Sequence, residues 1–234
     1  RGGSHVSSPP TGNDMSVCLG LDWSTRRIAV GVQKWSQQKG SALASCIDPD
    51  RPTKSGEYCK MQGLTPFVRE LECARFYVPD ALQLISDTLQ EAGATEGEIT
   101  EIRIGRGPGN YTGIRQSIAV AIGLAAPGGL PVRAVNSGAL LDVPPDPPSR
   151  GVWVMGDARR GWWWGGRLPN PVWKLARPEE WIRETEGAGL LSSDPARLDG
   201  LQVTEAYPRI SKLLSLEPEQ CAEPVEPLYL HPAV

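Results

Sequence analysis

The sequence predicts a two-lobed α/β protein, and three observations carry that prediction. An apolar strand, an aspartate at its end, an arginine-bearing turn and a second strand occur over residues 17–32 and again over 152–168. Between the two copies, a strand runs through a glycine-rich turn into an amphipathic helix. Pro144, Pro145, Pro147 and Pro148 then interrupt the chain, and such a run continues neither a helix nor a central strand. Repetition of one supersecondary unit implies related lobes that face each other across a cleft.

Taken in order, residues 1–14 read as a disordered tail or expression remnant ahead of a start at Met15. Val17 to Leu21 and Ile28 to Val32 are short apolar runs about a polar turn, as in a hairpin. Ala42 to Ile47 is a candidate third strand, and residues 48–66, rich in Pro, Gly and Lys, read as a mobile loop. From Val78 to Ala92, Ala81, Leu82, Ile85, Leu89 and Ala92 recur at helical spacing, Leu84 and Val78 widen the stripe, and Gly93 stops it. The stripe is wide enough for part of it to meet another chain. Glu101 to Ile104 is a strand, and the helix beginning near Thr112 places Ile114, Ile118, Ala121, Ile122 and Ala125 on one face before Pro127, Gly128 and Gly129. Val132 to Val135 is a further strand and Ser137 to Leu141 a short helix.

This reading divides the chain into an N-terminal lobe at 15–143, a proline-rich linker at 144–151 and a smaller C-terminal lobe at 152–234. In the second lobe, Val152 to Met155 and Trp162 to Leu168 flank the turn Gly156 to Gly161, with a strand near Val172 to Leu175 and a helix from Glu179 to Thr185. Trp162, Trp163 and Trp164 alternate sides in a strand, so at least one ring faces away from that lobe's core. Packing against a neighbouring helix is the commoner use of such a ring, and stacking on a nucleobase the other.

Composition removes several function classes. A net charge of −3 argues against nucleic-acid binding by bulk electrostatics. Five cysteines without a C-x-x-C pair suggest neither a disulfide framework nor a zinc site, and point to a reduced, cytoplasmic setting. The two histidines, His5 and His231, lie near the ends, which leaves a Ser-His-Asp triad or a two-His metal site hard to build. A peptidase reading fails on the same ground, since Ser24 and Ser117 have no histidine base in a recognisable motif. No apolar run reaches the ~18 residues of a membrane span.

The turn Gly105-Arg106-Gly107-Pro108-Gly109-Asn110-Tyr111-Thr112-Gly113-Ile114-Arg115 is the most specific stretch. Its glycines permit close backbone approach, and the start of the following helix favours an anion such as phosphate or carboxylate. The spacing matches neither common nucleotide fingerprint, so a strand-to-helix connection built for close packing stands equally well.

Leu19-Gly20-Leu21-Asp22-Trp23-Ser24-Thr25, the glycine turn, Asp157-Ala158-Arg159-Arg160-Gly161 and the ending Glu226-Pro227-Leu228-Tyr229-Leu230, in that order, resemble the TsaB (YeaZ) family. The resemblance implies the ASKHA (actin/Hsp70/sugar-kinase, ribonuclease H-like) fold, with a mixed sheet and helices in each lobe. It implies a non-catalytic subunit in the formation of N6-threonylcarbamoyladenosine at position 37 of tRNAs reading codons that begin with A. A TsaD-like chain would be the partner and a TsaE-like ATPase a further member; a homodimer is the other assembly, and tRNA would be met through the complex.

TsaD-like relatives carry a His-x-x-x-His pair where this chain reads Arg75-Phe76-Tyr77-Val78-Pro79-Asp80-Ala81, so no metal and no cofactor are expected. A vestigial nucleotide or anion site would comprise Asp22, Ser24, Thr25, Arg106, Gly107, Gly109, Asn110, Thr112, Gly113, Arg115, Asp157 and Arg159. Asp22 and Asp157 are expected to fix turns by accepting backbone N–H groups. The partner face would comprise Val78, Ala81, Leu82, Ile85, Leu89, Ile118 and Ile122. The alternative is an independent phosphotransferase using Asp22 or Asp157 with Mg²⁺ and the glycine turn as a phosphate cradle.

Overall fold

The computed structural model describes residues 15–36, 62–63, 65–73 and 78–230. The candidate strand Ala42 to Ile47, the tail at 1–14 and most of the loop at 48–66 lie outside the described residues. Two mixed sheets form the frame. In the first, β1 (Met15–Asp22) lies between β2 (Arg27–Ser36), antiparallel to it, and β5 (Ile99–Gly105), parallel to it. β4 (Phe67–Glu72) and the two-residue β3 (Gln62–Gly63) pair with β2, and β6 (Val132–Val135) runs parallel to β5.

The second sheet repeats this plan. β7 (Val152–Arg159) pairs antiparallel with β8 (Trp162–Arg167) and parallel with β10 (Gly189–Ser192). β9 (Lys174–Ala176) extends the β8 side and β11 (Thr204–Glu205) the β10 side. With β3 set aside, each sheet places its third, second, first, fourth and fifth strands side by side in that order. The duplication legible in the motifs is therefore a duplication of topology.

Alternation along β1 and β2 decides what covers the first sheet. Val17, Leu19, Leu21, Ile28, Val30 and Val32 enter the main core with Ile85 and Leu89 of α1 (Ala81–Glu91) and with Ile114 and Ile118 of α2 (Tyr111–Ala125). α1 ends where expected, with Gly93 in the left-handed region at φ 65°. The opposite face carries Gly20 and Gly31, which are register partners. A Cβ added at them would stand 3.0 and 2.8 Å from the Leu214 side chain. Their bareness forms a groove for α4 (Ile210–Ser215), which packs against β1, β2 and β5. Arg103 of β5, 3% exposed, completes that contact. Its guanidinium donates to the carbonyls of Leu213, Leu214 and Leu216 and pairs with Glu101, neutralising the negative end of the helix. Residues 210–215 thus follow the second sheet in sequence and cover the first in space.

The second sheet is packed by tryptophans set against glycines. Trp163 enters the cluster with Trp181 of α3 (Pro178–Glu184), whose indole Nε1 donates to the Trp163 carbonyl at 3.0 Å. Trp164, on the other side of the strand, meets Trp173 edge-on with ring centroids 5.5 Å apart. A Cβ at Gly165 would lie 2.7 Å from Trp181, one at Gly156 2.3 Å from Trp164, and one at Gly138 2.2 Å from Trp173. Helix packing accounts for Trp163, as the commoner reading holds. No helix among the described residues is long and apolar enough to cross a membrane.

Candidate functional site

In both hairpins an aspartate at or near the end of the first strand folds back on its own turn. Asp22 Oδ1 accepts from the Ser24 N–H at 2.9 Å and the Ser24 hydroxyl at 2.6 Å, and Asp157 Oδ1 accepts from the Arg159 N–H at 2.8 Å. This is the turn-fixing role expected for both. Their surroundings differ. Asp22 is 1% exposed, and a Cβ at Gly105 would sit 1.8 Å from its Oδ2, so glycine there makes room for the carboxyl. Burial pushes the Asp22 carboxyl above its ordinary range, against the lowering effect of its bonds to Ser24 and of Ser137. Asp157 retains 19% of its side-chain exposure and faces Arg159 at 3.7 Å and Arg197 at 3.4 Å.

The glycine turn is closed against the first hairpin. Asn110 N donates to the Ser24 carbonyl, a Cβ at Gly109 would fall 2.1 Å from that oxygen, and one at Gly113 would fall 2.1 Å from the Trp23 carbonyl. Gly107 takes φ 99°, donates its N–H to Ser137 Oγ at 3.0 Å and precedes a cis bond to Pro108. Asn110 caps α2 by accepting from Thr112 N at 3.2 Å. The glycines therefore serve the close approach of two loops, the packing alternative left open by the spacing.

A cleft of about 730 Å³ opens between these loops and the second sheet. Ser24, Thr25, Gly109, Asn110 and Thr112 line it from the first lobe, and Asp157 and Arg159 from the second. Asp22 does not line it, and neither do Arg106 and Arg115. The Arg106 guanidinium turns inward to Glu223 at 2.8 Å. Arg115 hydrogen-bonds the Tyr111 hydroxyl and lies over its ring at 5.1 Å. The two arginines expected to flank an anion at the glycine turn are thus committed elsewhere.

Arg26, Arg160 and Arg197 supply the cleft's further positive charge, with Asp194 beside Arg197 at 2.7 Å. Arg26 and Arg160 fall in the polar turns of the two hairpins; Arg197 and Asp194 lie in a stretch without periodicity or motif. The ending forms the remaining wall. Glu223 bridges to Ala134 at the sheet edge, Leu228 N donates to the Arg106 carbonyl at 3.0 Å, and Tyr229 stacks on Tyr111 at 5.1 Å.

The expected partner face divides. Val78, Ala81, Ile85, Leu89 and Ile118 belong to the core of the first lobe, between 1% and 8% exposed. They hold the helices to the sheet. Leu82 at 61% and Ile122 at 50% point outward, so the helical face proposed for Ile122 is one position too wide. α1 and α2 cover the same side of the sheet, and Gln116 ties them by bonds to both backbone groups of Val78.

Solved structures share this architecture. YeaZ from Pseudomonas aeruginosa aligns with a TM-score of 0.56 at 21% identity, covering 92% of this chain and 100% of that one. A second structure, titled as an uncharacterized protein with similarity to peptidase YeaZ from the same organism, gives 0.55 at 21%, with the same coverage. A model of the TsaD family, described as tRNA N6-adenosine threonylcarbamoyltransferase, matches residues 63–161. The tRNA threonylcarbamoyladenosine biosynthesis protein TsaB of Escherichia coli (strain K12) is 35% identical over 65 residues. By these matches the chain is similar to TsaB and YeaZ proteins. The stretch shared with the Escherichia coli TsaB covers 28% of each protein. The fold of the YeaZ structures extends over the described residues, with two mixed sheets and the ending wrapped back onto the first lobe.

Proposed function

We propose that this chain is a non-catalytic subunit in the N6-threonylcarbamoylation of adenosine 37 of tRNAs that read codons beginning with A. It pairs with a TsaD-like subunit and meets a TsaE-like ATPase and the tRNA in the cytoplasm through that complex. The names of the TsaB relative and of the TsaD family model support the pathway. The observation that carries the docking mode is the outward pair Leu82 and Ile122, half or more exposed on helices that cover one side of the first sheet. A specific interface buries more than about 1,000 Å² around an apolar centre, and these side chains provide its anchors. A second copy of the chain is the occupant of the same face when the partner is absent.

The burial of Asp22 beneath its turn, away from the cleft, supports this reading over a phosphotransferase. Such an enzyme needs that carboxylate beside metal-bound phosphate. Leu82→Asp with Ile122→Asp, purified with a tagged TsaD-like partner, is expected to lose the partner while keeping its own unfolding midpoint. Retention at the wild-type level would remove this face from the interface. Depletion of the protein is expected to lower N6-threonylcarbamoyladenosine in tRNA nucleosides measured by mass spectrometry, and an unchanged level would exclude the pathway.

A further inference from the structure

The ending is held at two points and then carried past them. The Glu223 carboxylate accepts from Arg106 Nη1 at 2.8 Å and from Asn136 Nδ2 at 3.2 Å, and its backbone pairs with Ala134 at the edge of β6. Leu228 N donates to the Arg106 carbonyl at 3.0 Å. Between these points Pro224 and Pro227 supply no N–H, so the segment lies along the first lobe as a strap and does not continue the ladder. Covering the sheet edge needs nothing beyond Leu228. The chain nevertheless continues to Tyr229, whose ring lies on Tyr111 at the start of α2 and stays 47% exposed.

Tyr111 heads the outward stripe of α2. Tyr111, Arg115, Ala119 and Ile122 are all exposed and recur at helical spacing, so the ring stack and Ile122 stand on one side of the helix. Arg115 is the single charged residue of α2. It lies over the Tyr111 ring at 5.1 Å, donates to the Tyr111 hydroxyl and sits beside the Tyr229 hydroxyl. No carboxylate among the described residues pairs with it. Tyrosine and arginine are residue types on which interface energy concentrates, and a guanidinium with five donors keeps capacity for a carboxylate.

We propose that the ending forms part of the partner face: Tyr229, seated on Tyr111 by the Glu223 latch, and Arg115 make a second anchor that receives an acidic side chain of the partner. This deepens the docking mode proposed above and rests on it. Ile122 marks the apolar end of the stripe and Arg115 its charged end, which gives the docked chain a direction. Glu223 is a positioning residue, remote from the face, whereas Tyr229 and Arg115 make the contact.

Affinity for the tagged TsaD-like partner is measured at low and high salt for the wild type, Tyr229→Ala, Arg115→Gln and Glu223→Ala, with amide hydrogen exchange of each free chain. Tyr229→Ala should bind about tenfold or more weakly. Arg115→Gln should weaken binding and flatten its dependence on salt, because the pair it loses is one of charges. Glu223→Ala should speed exchange over residues 225–230 and weaken binding, with α1 and α2 protected as in the wild type. Wild-type affinity in Tyr229→Ala, unaltered salt dependence in Arg115→Gln, or unaltered exchange or affinity in Glu223→Ala overturns the proposal. Faster exchange in α1 and α2 of Tyr229→Ala would make that ring structural and overturns it too, as does loss of self-association in place of partner binding, which assigns the anchor to a second copy. If Leu82→Asp with Ile122→Asp releases the partner while these variants retain it, the docking mode stands and the second anchor falls; if none releases it, both fall.

Discussion

Asp22 is a carboxylate held where water does not reach, and its protonation is coupled to folding. Its folded-state pKa is raised, chiefly by desolvation, so the folded chain binds this proton more tightly than the unfolded chain does. The stability it contributes is complete below the ordinary carboxylate range and declines as pH rises through the raised value. Asp22→Asn retains an acceptor for Ser24 and carries no charge. It should unfold at or above the wild-type midpoint at neutral pH, and the difference should shrink as the solution is acidified. Thermal melts across the acid range measure this; a variant that is less stable at neutral pH would show that the ionised carboxylate is required.

The helices separate two kinds of position that look alike in a linear pattern. In α2, alanine normally exceeds glycine in helix stability by about 1 kcal/mol. Gly123 has open space around its Cα, so Gly123→Ala should stabilise the chain by about that amount. Gly113→Ala should have the opposite sign, because its Cβ meets the Trp23 carbonyl at 2.1 Å and that oxygen belongs to backbone. Denaturant unfolding of the two variants tests the contrast. In α1, Ile85→Asp buries an unpaired charge at a position 1% exposed and should cost more than about 3 kcal/mol. Leu82→Asp, in solvent, should change stability by about 0.5 kcal/mol or less. Periodicity reported the existence and approximate bounds of both helices, yet it blurred their two faces, since a stripe continuous in sequence covers both the core and the edge of the core. It passed over β4, whose Arg69, Glu70 and Glu72 pair with neighbours at an exposed margin, and α4, too short to show a repeat. The glycine turn was legible as a close approach. That Arg106 faces Glu223 was not, because 117 residues separate them.

Across the whole molecule, the lobes are tied by a chain that crosses between them and returns. α4 fills the groove over Gly20 and Gly31, Arg103 holds its carbonyl end, and the ending runs on to Tyr111. Truncation after residue 208 removes α4 and that ending together, stripping Ile210 and Leu213 from the cluster they share with Ala29, Val135 and Leu140. The truncated chain should expose that face, bind a hydrophobic dye and melt well below the full chain; a cooperative melt at the full-length temperature would show that the first sheet stands without its cover. A protein emerging from the ribosome gains its parts from the N-terminus onward. The first sheet can pair its strands early, but α4, which packs on one of its faces, is translated after the entire second sheet. Until then one apolar side remains open to chaperones and to neighbouring nascent chains, and α4 is the helix that seals the first strands.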